Sequence, residues 1–354
     1  MKTKNLFAAV VCCASLVMAT EASAKSFRVN FDTRAHADFQ DLNAAMSSNL
    51  VSNGDTLYMD KGCTITTAQT VNKQVTIIGP GYFIGENDAD EAYISSSLYL
   101  EEDGIKITGL HTSDIYVRAE NIVIERCRVT GCINGSEAKS FPNDNASIRS
   151  CFINGYIRGA GSDGALGWNI VNNIIYQYSG TSNQNPIYNF SQTLVDHNVI
   201  RNYNYAGYST YSFCLYNIWN STITNNIIVD QCFNSNCINN HALSDNNTIS
   251  HNLLSATSYS DYPNNKFEQY TNSIFTLDYT DTNSKRDINY VLSENSPAKG
   301  YAEDGGDCGP FSGAYPYVMS GFPLYVPRFE SVNVPSSPTN GKLRVTLTVK
   351  NQNE

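Results

Sequence analysis

One pattern recurs through the middle of the chain and restricts what it can fold into. Six segments read apolar-x-x-small-x-apolar: Ile124-Glu-Arg-Cys-Arg-Val129, Ile148-Arg-Ser-Cys-Phe-Ile153, Ile170-Val-Asn-Asn-Ile-Ile175, Val195-Asp-His-Asn-Val-Ile200, Ile223-Thr-Asn-Asn-Ile-Ile228 and Ile249-Ser-His-Asn-Leu-Leu254. Their starts lie 24, 22, 25, 28 and 26 residues apart. A weaker copy, Ile105-Lys-Ile-Thr-Gly-Leu110, precedes them. Each copy is short, β-branched and flanked by Gly, Asn or Ser, which predicts strand rather than helix. A unit this short cannot bury an apolar face alone, so the copies must stack.

The fourth position runs Thr108, Cys127, Cys151, Asn173, Asn198, Asn226, Asn252. Asn there suits the left-handed conformation of a bend between strands. Pointing inward, its amide could bond the same residue in the coils above and below, giving a buried polar group its partner. Further strands are expected at Ile115–Val117, Tyr156–Arg158, Ile187–Asn189, Cys214–Tyr216 and Cys237–Asn239. Coils rising ~4.8 Å each make seven of them a rod core of roughly 30 Å.

Composition agrees. Charged residues make up 16% of the chain, below the ~25% usual in globular proteins. Tyr numbers 23, as many as Lys and Arg together. A chain whose polarity comes from Asn, Ser, Thr and Tyr is poor material for long helices. A net charge of −10 without basic blocks excludes nucleic acid as the expected partner.

Lys2 and Lys4, the apolar run Leu6–Ala19 and the small-x-small site Ala22-Ser-Ala24 read as a signal peptide cleaved after Ala24. Export to the cell exterior or envelope is the expectation, with no transmembrane segment. Eight cysteines follow the cleavage site. They are expected mostly as buried free thiols serving as small apolar side chains.

The repeat resembles that of the right-handed parallel β-helix proteins, the superfamily of pectate lyases and polygalacturonases. Phe39-Gln-Asp-Leu-Asn-Ala-Ala-Met46 with Asn53-Gly-Asp-Thr-Leu-Tyr58 is similar to that family's capping helix and opening strand. Val75-Thr-Ile-Ile-Gly-Pro-Gly-Tyr82 is similar to its first coil, and Ser296–Gly300 with Asp304–Gly313 to the closing segment of exported bacterial members. The resemblance implies an all-β chain: a right-handed single-stranded parallel β-helix with an N-terminal capping helix and a C-terminal β-hairpin. The expected organisation is signal peptide 1–24, N-terminal cap 25–53, β-helix 54–315 and hairpin or attachment segment 316–354. The hairpin strands are Phe329–Val334 and Leu343–Val349, and the second alternates cleanly with period two. It is expected either to pack on the rod or cover its end, or to attach the protein to a partner in the envelope.

A lyase of this superfamily would place calcium carboxylates along a strand face beside a basic residue. The face through Arg158, Tyr188, Tyr216 and Asn239 carries no consecutive carboxylates. The polygalacturonase strings Asn-Thr-Asp, Gly-His-Gly and Arg-Ile-Lys are absent. The catalytic candidates are Arg158, Arg201, Asp196 and His197, the last two because Val195-Asp-His-Asn198 resembles the Ile-Asp-His motif of pectate lyases. Since that string lies on the repeat, its expected role is scaffold, with His197 and His251 as lone exposed histidines. The acidic clusters Glu86–Glu91, Glu101–Asp103 and Glu303–Asp307 lack EF-hand spacing and are expected as solvated turns. No metal site or cofactor is expected, with calcium at one of these acidic clusters as the alternative.

The strongest site signal is aromatic. The longest interval between copies carries Tyr203, Tyr205, Tyr208 and Tyr211 and leads into Tyr216 and Trp219. Extra length in a solenoid emerges as loops on one face, often the binding face. Tyr offers a flat apolar ring with a hydroxyl, suited to stacking on sugars. The expected substrate-binding set is Tyr188, Tyr205, Tyr208, Tyr211, Tyr216 and Trp219, with Arg158 and Arg201 placed to meet acidic sugars. The expected partner is a polysaccharide or surface glycan. The activity is that of a polysaccharide lyase or hydrolase, or, alternatively, non-catalytic glycan binding or adhesion at the surface.

Overall fold

The computed structural model describes residues 24–135, 143–160, 164–179, 185–204, 213–230, 246–254, 264–267, 273–276, 286–322, 328–338 and 341–350. The chain is all-β, and its coil is built of parallel strands. A ten-stranded sheet runs from Ser26–Val29 through Val123–Glu125 to Thr248–Ser250, each strand beside the one a repeat earlier. A sixteen-stranded sheet holds two further ladders, joined where the long strands Tyr93–Leu100 and His111–Val117 span both. The chain thus visits three ladders in turn. At Val123–Glu125, Arg128–Val129 and Cys132–Gly135 this takes only thirteen residues.

The repeat explains the register. Ile124, Ile148 and Ile170 pair in one column, and Val129, Ile153 and Ile175 in another. All six point inward and are fully buried. On the third ladder Leu98, Ile115, Ile133, Ile157, Ile187 and Leu215 form the same kind of column, also fully buried. Burying each such side chain contributes roughly 1.5–3 kcal/mol.

The amide ladder exists, displaced by one residue from the bend. The left-handed position is the third of each copy: Arg126, Ser150, Asn172, His197, Asn225 and His251, with φ between 49° and 58°. The fourth residue follows the bend and points inward. Asn173 donates to Asn198, Asn198 to Asn226, Asn226 to Asn252 and Asn252 to Asn265, at 2.9–3.0 Å. The weak early copy sits two residues out of register. Ile107 pairs with Ile124 and Gly109 is left-handed, so Leu110, not Thr108, takes the ladder position.

Four of the expected additional strands lie on the third ladder in the expected alignment, and Cys237–Asn239 lies outside the described residues. That ladder also contains Cys132–Gly135, a strand beyond those expected from the sequence. The six described cysteines are buried free thiols.

Helix Leu42–Ser47 begins at Asp41, whose carboxylate accepts from Ala44 N at 2.7 Å. It closes one end of the rod. Asn43 accepts from Thr70 N, and its own backbone N–H donates to Gln69, so the edge strand Gln69–Val71 is partnered rather than bare.

Beyond the last coil strand, Lys266–Phe267, the chain turns back as a strap along the outside of the bends. Cys308 Sγ donates to His251 O, Gly309 N to Asn225 O, and Ser150 Oγ to Tyr315 O. Asn172 Nδ2 donates to Pro310 O at 2.9 Å and also to Ser312 O. At the far end Tyr317 and Tyr82 share a buried hydroxyl–hydroxyl hydrogen bond of 2.5 Å. The strap buries Phe152, Ile174, Val199, Ile227 and Leu253, the outward residues of the second ladder. The C-terminal pair Arg328–Asn333 and Thr346–Lys350 is antiparallel. Leu343, Val345, Leu347 and Val349 are each about half exposed.

Candidate functional site

The outer face of the third ladder gathers chemistry that the scaffold does not need. Strand pairing sets Tyr99, Tyr116, Asn134, Arg158, Tyr188 and Tyr216 in one column, one residue per rung. Because rungs repeat at about 4.8 Å, neighbouring rings stack: Tyr99 and Tyr116 lie 4.9 Å apart at 24°. The Arg118 guanidinium sits over the Tyr99 ring at 4.2 Å and is held by Glu101 at 2.8 Å. Arg158 stands 5.8 Å from the Tyr188 ring centre, and the Tyr156 ring lies 5.7 Å from that of Tyr188. Phe213 stacks on Tyr216, which is 37% exposed.

A second column beside it runs Asp114, Cys132, Tyr156. Cys132 donates both its backbone N–H (2.9 Å) and its thiol (3.1 Å) to Asp114 Oδ1, and Asn134 Nδ2 reaches Cys132 Sγ at 2.8 Å. Burial and the Asp114 carboxylate push the Cys132 thiol up to about 12. Burial, reinforced by Cys132, also raises the Tyr156 hydroxyl. Both groups are protonated at neutral pH and present hydrogens rather than charge.

The structure separates the catalytic candidates. Only Arg158 lies on this face. Asp196 ends a strand of the ten-stranded sheet and accepts from His197 Nδ1, Thr224 Oγ1 and Asn225 Nδ2 at 2.8–2.9 Å. Burial alone would raise the Asp196 carboxyl, but these bonds together hold it below its ordinary range. His197 is 3% exposed, not an exposed histidine, because Gly313 of the strap lies directly on its ring. Arg201 is buried on the second ladder, 4.8 Å from the Tyr176 ring. Trp219 follows the left-handed bend at Asn217 and so points away from the Tyr216 column, toward Gly164. Tyr205, Tyr208 and Tyr211 lie outside the described residues.

Of the acidic clusters, Glu91 is not solvated. It pairs with His111 at 2.5 Å and Arg128 at 2.9 Å, while Tyr93 stacks on the His111 ring at 3.9 Å. Burial pushes Glu91 up, and His111, the Phe83 backbone N–H and Arg128 bring it below its usual value. Asp304 and Asp307 accept backbone N–H groups within their turn, as expected. Among the described residues, no three His, Cys, Asp or Glu side chains are placed to share a metal ion.

No family model matches the chain, and no curated protein matches it. Among solved structures it is similar to PL6 family alginate lyase AlyGC, at 11% identity and a TM-score of 0.22, over 83% of this chain and 59% of that one. An arginine-to-alanine variant of that lyase is similar at 11% identity and a TM-score of 0.24, over 82% of this chain and 59% of that one. The chain thus spans about 59% of the length of these neighbours.

The Arg158–Tyr188 column was legible in the sequence, because each residue follows an inward isoleucine. Asn134, Asp114 and Tyr99 were missed: all three lie outside the strands expected from the sequence, and only cross-strand pairing aligns them.

Proposed function

We propose that this chain is an exported, right-handed, single-stranded β-helix protein that holds an extracellular polysaccharide along its third ladder. The observation that carries the reading is the column Tyr99, Tyr116, Asn134, Arg158, Tyr188, Tyr216. Its five steps span about 24 Å, enough to track several sugars of an extended chain. Tyrosine rings offer apolar faces to sugar rings and hydroxyls to their edges. Arg118 and Arg158 supply planar donors for carboxylate or sulfate substituents. The column is flat and repetitive, which suits a repetitive ligand better than a compact one.

A second reading, cleavage of that polysaccharide, is favoured by the grouping of Arg158, Tyr156 and Tyr188 around one point. Hydrolysis calls for two carboxyl groups flanking the bond, and Asp114 is the one carboxylate on the described strands of this ladder. The catalytic form of the reading is therefore elimination: Arg158 neutralises an acidic substituent, solvent takes the proton from the carbon beside it as a C=C bond forms and the glycosidic C–O bond breaks, and Tyr156, protonated at neutral pH, gives its proton to the departing oxygen and regains one from solvent.

The deciding experiment incubates the protein with a panel of acidic and neutral polysaccharides. Retention on an immobilised glycan with no new chain ends supports binding alone. Accumulation of unsaturated chain ends supports elimination. Neither retention nor products across the panel overturns the proposal.

A further inference from the structure

Outside the third ladder, a cleft of about 310 Å³ lies between the ten-stranded sheet and the strap. Glu125, Arg126, Arg149 and Ser150 form one wall, and Tyr315 and Pro316 belong to the other. Three cations meet a single carboxylate there. Lys106 Nζ lies 3.0 Å and Arg126 Nη2 3.1 Å from Glu125 Oε1, and Arg149 Nη2 lies 2.7 Å from Oε2. Arg149 also donates from Nε at 2.9 Å, and Arg126 is braced by Thr108 Oγ1 through Nε and Nη2. The Nη1 group of each guanidinium makes no hydrogen bond to a described residue. The cluster therefore carries two positive charges in excess, with donors to spare.

The geometry is fixed from both sides. Register holds Glu125 and Arg149 on adjacent rungs. The strap is pinned by Ser150 Oγ donating to Tyr315 O at 2.8 Å and by Tyr315 N donating to Asn172 Oδ1 at 3.2 Å. The Tyr315 ring lies 4.5 Å from the Arg149 guanidinium and forms a flat wall. An ion pair needed only for packing would balance its charges. This one keeps a surplus beside a solvent-connected cleft, where a low-dielectric wall strengthens attraction for an anion.

We propose that this cleft is a second binding site, which takes a small doubly charged oxyanion of the phosphate class, free or carried as a monoester on a sugar. Charge sets the class: two surplus cations match one dianion, and two guanidinium edges match its oxygens. Tyr315 would face the sugar of a monoester. The site lies on a different ladder from the tyrosine column and does not depend on what that column binds.

Titration calorimetry with inorganic phosphate and with glucose 6-phosphate, against chloride at matched ionic strength, tests the site. The wild type is expected to bind saturably. Arg149→Gln should weaken binding about tenfold, as loss of one charge-assisted bidentate contact does. Glu125→Gln removes the competing carboxylate and should tighten binding about tenfold. That response separates a site from a salt bridge, which has nothing to tighten. Should Arg149→Gln fail to fold, Lys106→Gln at the more exposed cation replaces it. Tyr315→Ala should weaken glucose 6-phosphate and leave inorganic phosphate unchanged if the monoester is the ligand, and should affect neither if it is the free ion. Absence of saturable binding in both the wild type and Glu125→Gln overturns the proposal, as does binding that neither Glu125→Gln nor Arg149→Gln changes.

Discussion

Asn226 Oδ1 accepts two hydrogen bonds from Asn198, from the backbone N at 2.8 Å and from Nδ2 at 2.9 Å. The same double bond repeats from Asn173 to Asn198, from Asn226 to Asn252 and from Asn252 to Asn265. Each amide thus caps the bend of the coil beside it and passes a donor to its own bend. Asn198→Ala would leave the buried backbone N–H of Asn173 without its acceptor and remove one of the two acceptors of Asn173 Nδ2, which keeps Ile148 O. A buried unsatisfied group costs about 1–3 kcal/mol, so Asn198→Ala is expected to lower stability by about 3 kcal/mol in urea unfolding. Asn198→Asp, which cannot donate onward, should do no better. A loss below about 1 kcal/mol would show that the ladder is ornamental.

The strap depends on Gly313 as the ladder depends on asparagine. Gly313 has φ +81°, and a Cβ there would lie 2.8 Å from the His197 ring. Gly313→Val is expected to cost about 1–3 kcal/mol in backbone strain alone, with further loss from displacing the ring. Limited proteolysis should then cut the variant near residues 308–320 while the coil survives. Unchanged cleavage would show that the strap is not held through this contact.

Stability should fall in acid with a sign set by two buried carboxyls and a partly buried one. Asp196, Glu91 and Glu125 each lie below their ordinary values of 3.8, 4.5 and 4.5. For each, burial raises the value and polar partners outweigh it. A carboxyl lowered in the folded state contributes stability that is present above its unfolded value and lost as pH falls through the folded one. Asp287, which burial raises, has the opposite sign: its contribution is present in acid and fades as pH rises. The three outnumber the one, so the urea midpoint is expected to fall between about pH 6 and pH 3. Asp196→Asn should flatten that slope while lowering stability at pH 6. A midpoint that rises on acidification would contradict the assignment.

Cys132 and Cys308 should be inert in the folded protein. Burial, aided by Asp114 and Asp307 respectively, places each thiol at about 12. The thiolate is the reactive form, so iodoacetamide at about pH 8 should leave both unlabelled until denaturant is added. Labelling of either within minutes under native conditions would refute this.

On the tyrosine column, Tyr188→Ala and Tyr216→Ala should each weaken glycan retention by about tenfold, the scale of one aromatic contact of ~1–1.5 kcal/mol. Tyr216 is the more exposed, and its loss should leave the melting temperature within a few degrees. Retention by both variants equal to that of the wild type would move the glycan elsewhere.

The sequence carried the coil because one rule repeats along it. An inward isoleucine, a bend and an inward amide recur, and each can be counted without knowing what lies across the sheet. It misassigned the bend by one residue, since the left-handed residue and the inward amide are adjacent and both are often Asn. It placed Thr108 on the ladder where Leu110 belongs, because a two-residue slip still sets an apolar residue, Ile105 and Leu110, at each end. The Asp-His string at Asp196 and His197 drew attention as chemistry. The contact that makes it scaffold comes from Gly313, 116 residues later. The sequence by itself determined the period, the inward columns and the alignment of Arg158 with Tyr188 and Tyr216, all local properties repeated at sheet spacing. Only the tertiary structure decided where the strap lies, and so which candidates are covered and where three cations surround Glu125. Those outcomes depend on contacts between distant segments, for which no local pattern in the chain is a signal.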